Sequence, residues 1–597
     1  MVRALLAVAG PVLVLGVLEV GLRLAGYGHR TSFFVPLDDG RMLASNRCFG
    51  WQFMPRQTAT QPYPLVITAQ KPAGQARIFI LGESAAQGAP SPAFGFSRIL
   101  EVMLSQQFPD WRFEVVNVAM RGINSHAVLP IARECARLGP DLCLVYLGNN
   151  ETISIHAPDP ERLNLTPYLG LLRFTQWMKG ARLVQLGDRL VRALQAAPPR
   201  RSGQDMDFFR RKRLAADDPR RQAVYDNFRA NLEEICRAIR ASGAPVIVST
   251  VAVNLSDFPP LASLHRTGLA PAELAAWQSA FAQGANAEAE GRLADALARH
   301  REAVRVDGHF AELHFRLARC ELAAGQREAA AEHFSLARDW DALQFRADRR
   351  INQIIRDTAA SRRDPGVILL DAERSFAQAA GPDAGGPGNR FFHEHVHLNF
   401  EGDYLLARLF FPLVARALNL ASSPPPAGEP PPIPSRQECA DALAFTEWDE
   451  IGVAAAMARL TAGPPFLDQI EHASRQARVE QELERRGQRF QQTGGFPRVV
   501  AVYRSATARR PEDWQLRFNF GSLLRDFGDK AGASSEIALA IRFMPVYPAL
   551  HLVMARALED QGRHGEAIQQ YQLALRVDPD CAPAKAALSR SAGRGPP

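Results

Sequence analysis

The sequence predicts an α/β protein whose core is a parallel sheet of five strands, with all-α helical repeats added to it in two places. Three observations predict this. Five short runs of uninterrupted apolar residues alternate with helical patterns, as strands covered by helices on both faces must. Glycine and alanine recur at a step of 34 residues in two regions, the step of a two-helix repeat. A length of 597 residues also exceeds one core at the usual ~150 residues per domain.

The first element is apolar from Ala4 to Leu18, and the stretch to Gly26 is interrupted only by Glu19 and Arg23. That length reaches across a bilayer. No small-x-small exit site precedes "LRLAGYG", so an uncleaved anchor over residues 1–28 is favoured over a cleaved signal peptide. Arg3 alone precedes the apolar run, which places the amino terminus in the cytoplasm and the body on the extracytoplasmic side.

The strand candidates follow: "RIFIL" (77–81), "FEVVNV" (113–118), "LCLVYL" (142–147), "PVIVSTV" (245–251) and "VILLD" (367–371). Between them, "FSRILEVMLSQQF" (96–108) and "DNFRANLEEICRAIRAS" (226–242) repeat apolar residues at three and four, the helical spacing.

In an open parallel sheet, sites form beyond the carboxyl ends of the strands. Ser84 follows the first candidate, Gly122 in "NVAMRGINS" the second, Asn150 in "LGNNE" the third, and "FFHEHVHLNFEGDYLLA" (391–407) comes after the fifth. Together they supply the parts of acyl transfer. Ser84 is the candidate nucleophile, His397 the general base, and Glu394, three residues earlier, the carboxylate that orients the imidazole. The backbone N–H groups of Ser84 and Gly122 and the side-chain amide of Asn150 are the candidate oxyanion donors. "GESAAQGA" lacks the Lys-Ser/Thr of a phosphate-binding loop, and its glycine spacing is not the dinucleotide fingerprint. The reading requires no cofactor and no metal.

These blocks resemble the SGNH (GDSL-type) hydrolases: "GES" for Gly-Asp-Ser, Gly122 for the second block, "GNNE" for Gly-x-Asn-Asp, and "EHVH" for Asp-x-x-His, in the family's order. The resemblance covers residues 72–270 and 345–420. It implies a flavodoxin-like three-layer fold acting on esters, often acetyl groups of polysaccharides. Glu83, Glu151 and Glu394 each stand where the family has aspartate. A glutamate at 394 is one methylene longer and reaches the imidazole only if the backbone adjusts.

Ser84 and His397 are far apart in sequence because a repeat intervenes. Gly291 and Gly325, Ala296 and Ala330, and Ala303 and Ala337 are each 34 apart. The carboxyl-terminal region keeps the step at nine positions: Gly494, Gly528, Gly562; Ala506, Ala540, Ala574; Pro511, Pro545, Pro579. Both regions resemble tetratricopeptide repeats (TPR). The expected organisation is an anchor (1–28), the hydrolase domain in two parts (29–275 and 346–420), inserted repeats (276–345), a Pro-rich linker (421–436) and a carboxyl-terminal helical TPR domain (437–597). The insert's two ends should lie together.

Charge and cysteines exclude other classes. Only five of the 70 basic residues are lysine, and the densest basic run, 208–221, is interleaved with aspartates like a solvated surface, so no nucleic-acid partner is expected. The cysteines at 48, 135, 143, 236, 320, 439 and 581 show neither metal-ligand spacing nor a disulfide framework. The expected partners are an ester or O-acetylated substrate, including polysaccharide, a protein held by the repeats, and the membrane. Two functions remain open: an active serine hydrolase or O-acyltransferase, and a TPR scaffold at the membrane built on a catalytically weak or inactive hydrolase fold. The apolar face of residues 168–190 fits three positions, over the active site, on the membrane, or against the core.

Overall fold

In the computed structural model, the described residues are 2–37, 39–158, 164–194, 212–361, 364–420 and 433–592. The basic run at 208–211 and the linker at 421–432 lie outside them.

A small antiparallel sheet comes first, made of β1 (Phe34–Leu37), β2 (Met42–Ser45) and β3 (Val66–Thr68). The main sheet has the five strands expected: β4 (Gln75–Gly82), β5 (Arg112–Asn117), β6 (Leu142–Tyr146), β7 (Val246–Ser249) and β8 (Val367–Leu370). All neighbours are parallel, in the order β5-β4-β6-β7-β8, with Ile80 opposite both Asn117 and Leu144. Ile78, Phe79, Ile80 and Leu81 of β4 and Leu142 to Leu144 of β6 are wholly buried, because helices cover both faces. Helices Phe96–Gln107 and Phe400–Ala417 pack together as one layer, their Phe96 and Phe410 rings stacked 5.5 Å apart. Helices Ser125–Cys135, Arg220–Arg240 and Arg349–Ser361 form the other. The result is a three-layer α/β core.

The chain leaves this core after β7 and returns before β8 through four helices, Pro271–Ala289, Leu293–Val306, Ala311–Ala323 and Arg327–Asp339. The ends of the excursion meet, since Ala342 N–H donates to the Ala262 carbonyl at 2.9 Å. Residues 341–348 then knit back into the three-layer core. The buried Asp341 carboxylate accepts from the N–H groups of Leu261, Ala262 and Leu343, and the Ala347 N–H donates to Asn149 Oδ1 at 3.0 Å.

The repeat glycines have a shared physical cause. Gly291, Gly325, Gly494, Gly528 and Gly562 all follow the first helix of a hairpin with φ between +73° and +91°, a left-handed turn that glycine adopts without steric cost. The repeat alanines 296, 303, 330, 337, 506, 540 and 574 are all buried, which lets the helices approach closely.

The carboxyl-terminal repeats rest on the α/β core. Arg98 pairs with Asp513, Glu101 with Arg510 at 2.8 Å, and Arg47 with Asp578. Tyr63 stacks on Trp514 at 5.8 Å, and Val66 of β3 packs among Ala540, Met544 and Leu550. At the other end of the chain, helix Val2–Leu24 has side chains described from Gly10 onward, and there Leu13, Val17 and Leu24 are exposed. Among the described residues no helix is long and apolar enough to cross a membrane.

Gly82, the last residue of β4, lies so close to β6 that a Cβ there would run into the Tyr146 carbonyl oxygen. Gly82→Ala should therefore lower stability by about 2 kcal/mol, as overpacking does, while Gly170→Ala, which meets no neighbour, should not. Thermal melts of the two variants provide the comparison.

Candidate active site

Ser84 opens a single helical turn, Ser84–Gln87, immediately after β4. His397 lies in a tight turn closed by the His393 N–H donating to the His397 carbonyl at 2.9 Å, just ahead of helix Phe400–Ala417. Asn399 caps that helix, its Oδ1 accepting from the Gly402 N–H, so His397 is free of the capping role. His397 Nε2 is 2.8 Å from Ser84 Oγ, and His397 Nδ1 is 2.5 Å from Glu394 Oε1. The three side chains form one unbroken chain of hydrogen bonds.

The longer side chain of Glu394 fits because the 394–397 turn curls around it. Oε1 accepts from the His397 N–H and Oε2 from the His395 N–H, both at 2.8 Å, while the His395 ring abuts Oε2 from the other side. The carboxylate is buried, with 3 % of its surface exposed. Asn254, in the loop after β7, holds this turn in place. Its N–H donates to the His395 carbonyl at 2.9 Å and its side-chain amide to the Glu394 carbonyl at 3.0 Å.

Gly122 has φ +67°, and among the described residues no hydrogen bond uses the N–H of Gly122 or of Ser84. Asn150 stands at the end of β6, where its side-chain amide donates to the Ile123 carbonyl at 2.9 Å; an amide nitrogen carries a second hydrogen for another acceptor. Glu83 fixes this loop: its buried carboxylate accepts from the N–H groups of Asn149 and Asn150 at 2.9 and 3.1 Å, with Gly148 at 3.4 Å. Glu151 accepts from the Ser125 N–H and hydroxyl, both at 2.8 Å. Glu83 and Glu151 thus brace the loops after β4, β5 and β6 against one another.

Electrostatics follow from burial. Desolvation and then the charge of Arg121 lower the His397 imidazole to about 3, so the ring is neutral. Desolvation, followed by the charges of His397 and Arg346, holds His395 well below the ordinary value. Desolvation and then Glu151 push Glu83 well up against the pull of its three N–H donors, and desolvation raises Glu151 to about 7. Arg121 donates to Gln87 Oε1 at 3.0 Å and to the Pro90 carbonyl at 2.8 Å, and among the described residues it has no carboxylate partner.

A cavity of about 1130 Å³ adjoins His393 and Glu394 and is lined by Phe258 and by Met457, Arg475 and Arg486 of the carboxyl-terminal module. The sole cluster with metal-ligand geometry among the described residues, Glu288, His300 and Cys320, lies in the inserted helices, away from the triad. Glu288 is already met there by Arg316 at 3.0 Å and Arg319 at 3.6 Å. All seven cysteines are free thiols.

All five residues expected from sequence, Ser84, Gly122, Asn150, Glu394 and His397, sit at the carboxyl edge of the sheet or in the turn facing it. Sequence reading missed Asn254 and the bracing by Glu83 and His395. Asn254 carried a usable signal, since "VAVNLSD" follows the fourth strand, the one strand end left unread.

The chain's helical hairpins match a known family. The tetratricopeptide repeat family matches at residues 287–349 and again at 536–586. No curated protein matches the chain. Among solved structures it is similar to the acetyl xylan esterase AlAXEase, at 11% identity over 57% of this chain and 99% of that one, with a TM-score of 0.25. It is also similar to a GDSL-like lipase from Bacteroides thetaiotaomicron, at 10% identity over 58% and 88%, with a TM-score of 0.26. A third is YrrB, a TPR protein with an unusual peptide-binding site, at 11% identity over 52% and 90%, with a TM-score of 0.16.

A neutral, buried imidazole beside an unpaired arginine has a measurable consequence. In an NMR titration His397 should protonate well below the ordinary ~6.5. Arg121→Met should move that midpoint upward, because removing a nearby cation favours the charged ring. A midpoint unmoved by the substitution would show that Arg121 does not act on the ring.

Proposed function

We propose that the protein is a membrane-anchored serine acyl hydrolase, or an O-acyltransferase using the same machinery, that acts on ester bonds of O-acetylated envelope substrates. The observation that carries this reading is the continuous Ser84–His397–Glu394 hydrogen-bond chain at the carboxyl edge of the sheet.

Ser84 Oγ attacks the ester carbonyl carbon while His397 Nε2 takes its proton. Glu394, fixed by two backbone N–H groups, holds the Nδ1–H tautomer and stabilises the imidazolium. The N–H groups of Ser84 and Gly122 and the second amide hydrogen of Asn150 stabilise the oxyanion. The imidazolium then gives its proton to the leaving alkoxide as the C–O bond breaks, leaving an acyl-serine. Water or a sugar hydroxyl, deprotonated by His397, resolves it; which of the two arrives distinguishes hydrolase from transferase. A low imidazole value favours release of that proton, and the forming imidazolium depends on Glu394. The repeats are read as docking surfaces for a protein partner and the apolar amino-terminal helix as the anchor.

Ser84→Ala should abolish labelling by a fluorophosphonate probe and hydrolysis of a short-chain aryl acetate, with the melt unchanged. Labelling that persists in the variant would overturn the nucleophile assignment, whereas a wild type that is neither labelled nor active would leave the scaffold reading.

Asn150→Ala should lower kcat by about 10²-fold, as loss of an oxyanion donor does, with little change in KM. Glu394→Gln should cost about 10⁴-fold, as loss of the orienting carboxylate does in serine proteases. An effect of Asn150→Ala confined to KM would instead make that residue a substrate contact.

A further inference from the structure

At the foot of the amino-terminal helix lies a second cavity, of about 1150 Å³, on the 126–134 side of the core. Five arginines line it, Arg23, Arg30, Arg133, Arg173 and Arg182, against two carboxylates, Glu19 and Glu134. Both carboxylates are committed. Glu134 accepts from the N–H groups of Phe33 and Phe34 at 2.7 and 3.0 Å. Glu19 takes the Leu183 N–H at 2.9 Å and Arg23 at 2.7 Å. Glu234, outside the cavity, answers Arg133 and Arg173.

Arg30 and Arg182 are left with no carboxylate among the described residues, and Arg182 Nε and Arg173 Nε are buried without a hydrogen-bond partner. The surplus is felt locally. Desolvation, then Arg23 and Arg30, lower the Arg182 guanidinium, with Glu19 opposing. Desolvation and then Arg56, Arg182 and Arg192 lower His29 to about 4.

The surroundings of this cationic pocket are apolar and outward-facing. Trp177, on its rim, is 73 % exposed. Leu171, Phe174 and Trp177 are exposed at steps of three along helix Leu169–Met178, so they share a face about 120° wide, and Tyr168, exposed too, stands just before its first residue. The amino-terminal helix rises from the same rim, its only two charges past Gly10 being Glu19 and Arg23, and both hold the 180–183 turn: Glu19 through Leu183 and Arg23 through the Gly180 carbonyl at 3.4 Å. A soluble phosphate would need no apolar border. A phospholipid needs both parts: arginines for the phosphate and apolar or aromatic side chains for the glycerol backbone and first acyl carbons.

We infer that the pocket binds the phosphate headgroup of an anionic membrane lipid, with the Leu171–Trp177 face lying at the bilayer interface. The inference rests on the membrane-anchored reading. Of the three positions for residues 168–190 it selects the membrane for the outward face, since Leu171, Phe174 and Trp177 are exposed while Leu172 of the same helix is buried.

The test uses the full chain in phosphatidylcholine vesicles carrying a small fraction of brominated lipid. The readout is the part of the tryptophan quenching lost in Trp177→Phe. Brominated phosphatidylglycerol should quench Trp177 about fivefold more strongly, mole for mole, than brominated phosphatidylcholine. Arg30→Ala/Arg182→Ala should remove that preference while leaving vesicle flotation and aryl acetate hydrolysis unchanged. The expected size follows from the worth of about one arginine beside an anionic surface. Equal quenching by the two lipids, or a preference that survives the double substitution, overturns the site. Abolition of the preference by excess inorganic phosphate overturns the lipid and makes the pocket a soluble-phosphate site. Loss of flotation by the wild type overturns the anchor as well as the lipid site, whereas flotation without lipid preference overturns the lipid site alone.

Discussion

Backbone amides at the carboxyl edge of a parallel sheet have no further strand to bond, yet they are too deep for water to serve. In this protein buried carboxylates collect them. Glu83 gathers the loop after β6, Glu151 the start of the helix after β5, Glu394 its own turn and Asp341 the loop after β7. Glu83, Glu151 and Asp341 each join two segments distant in sequence, so the edge becomes one connected rim instead of a set of separate loops. The triad is one member of this set, distinguished because the histidine whose N–H it accepts also reaches a serine.

The same pattern explains why glutamate is tolerated where the SGNH resemblance leads one to expect aspartate. An extra methylene is harmful where a carboxylate must meet one fixed partner. Here Glu83 and Glu394 each meet several N–H groups on a turn, and the curvature of that turn follows the carboxylate. Asn254 then fixes the curvature of the 394–397 turn through two carbonyls.

Much of this was legible in the sequence because its signals are local. A strand buried on both faces announces itself by an uninterrupted apolar run, and β4 to β8 fall within or beside the five expected runs. The repeat glycines and alanines are legible because the left-handed turn and close helix contact each admit few residue types. Ser84, Gly122, Asn150 and His397 are legible through their positions after strands. The unread parts are pairings with no local mark: Tyr63 against Trp514, Arg98 against Asp513, and the five-arginine pocket, assembled from five separate stretches of chain. Strands β1 to β3 are too short to show a period, and the weaving of residues 341–348 into the α/β core is carried by single hydrogen bonds.

The joined base of the inserted helices, where Ala342 bonds Ala262, bears on how the chain reaches its native state. Strands β7 and β8 are neighbours in the sheet but are separated by five helices, four of them in the excursion, a separation that makes pairing slow when the intervening chain is unstructured. Hairpins held by local contacts form early, and once they have formed, the excursion begins and ends at one point. The two strands then meet as though joined by a short connection, so the repeats shorten the effective loop that the last step of sheet assembly must close.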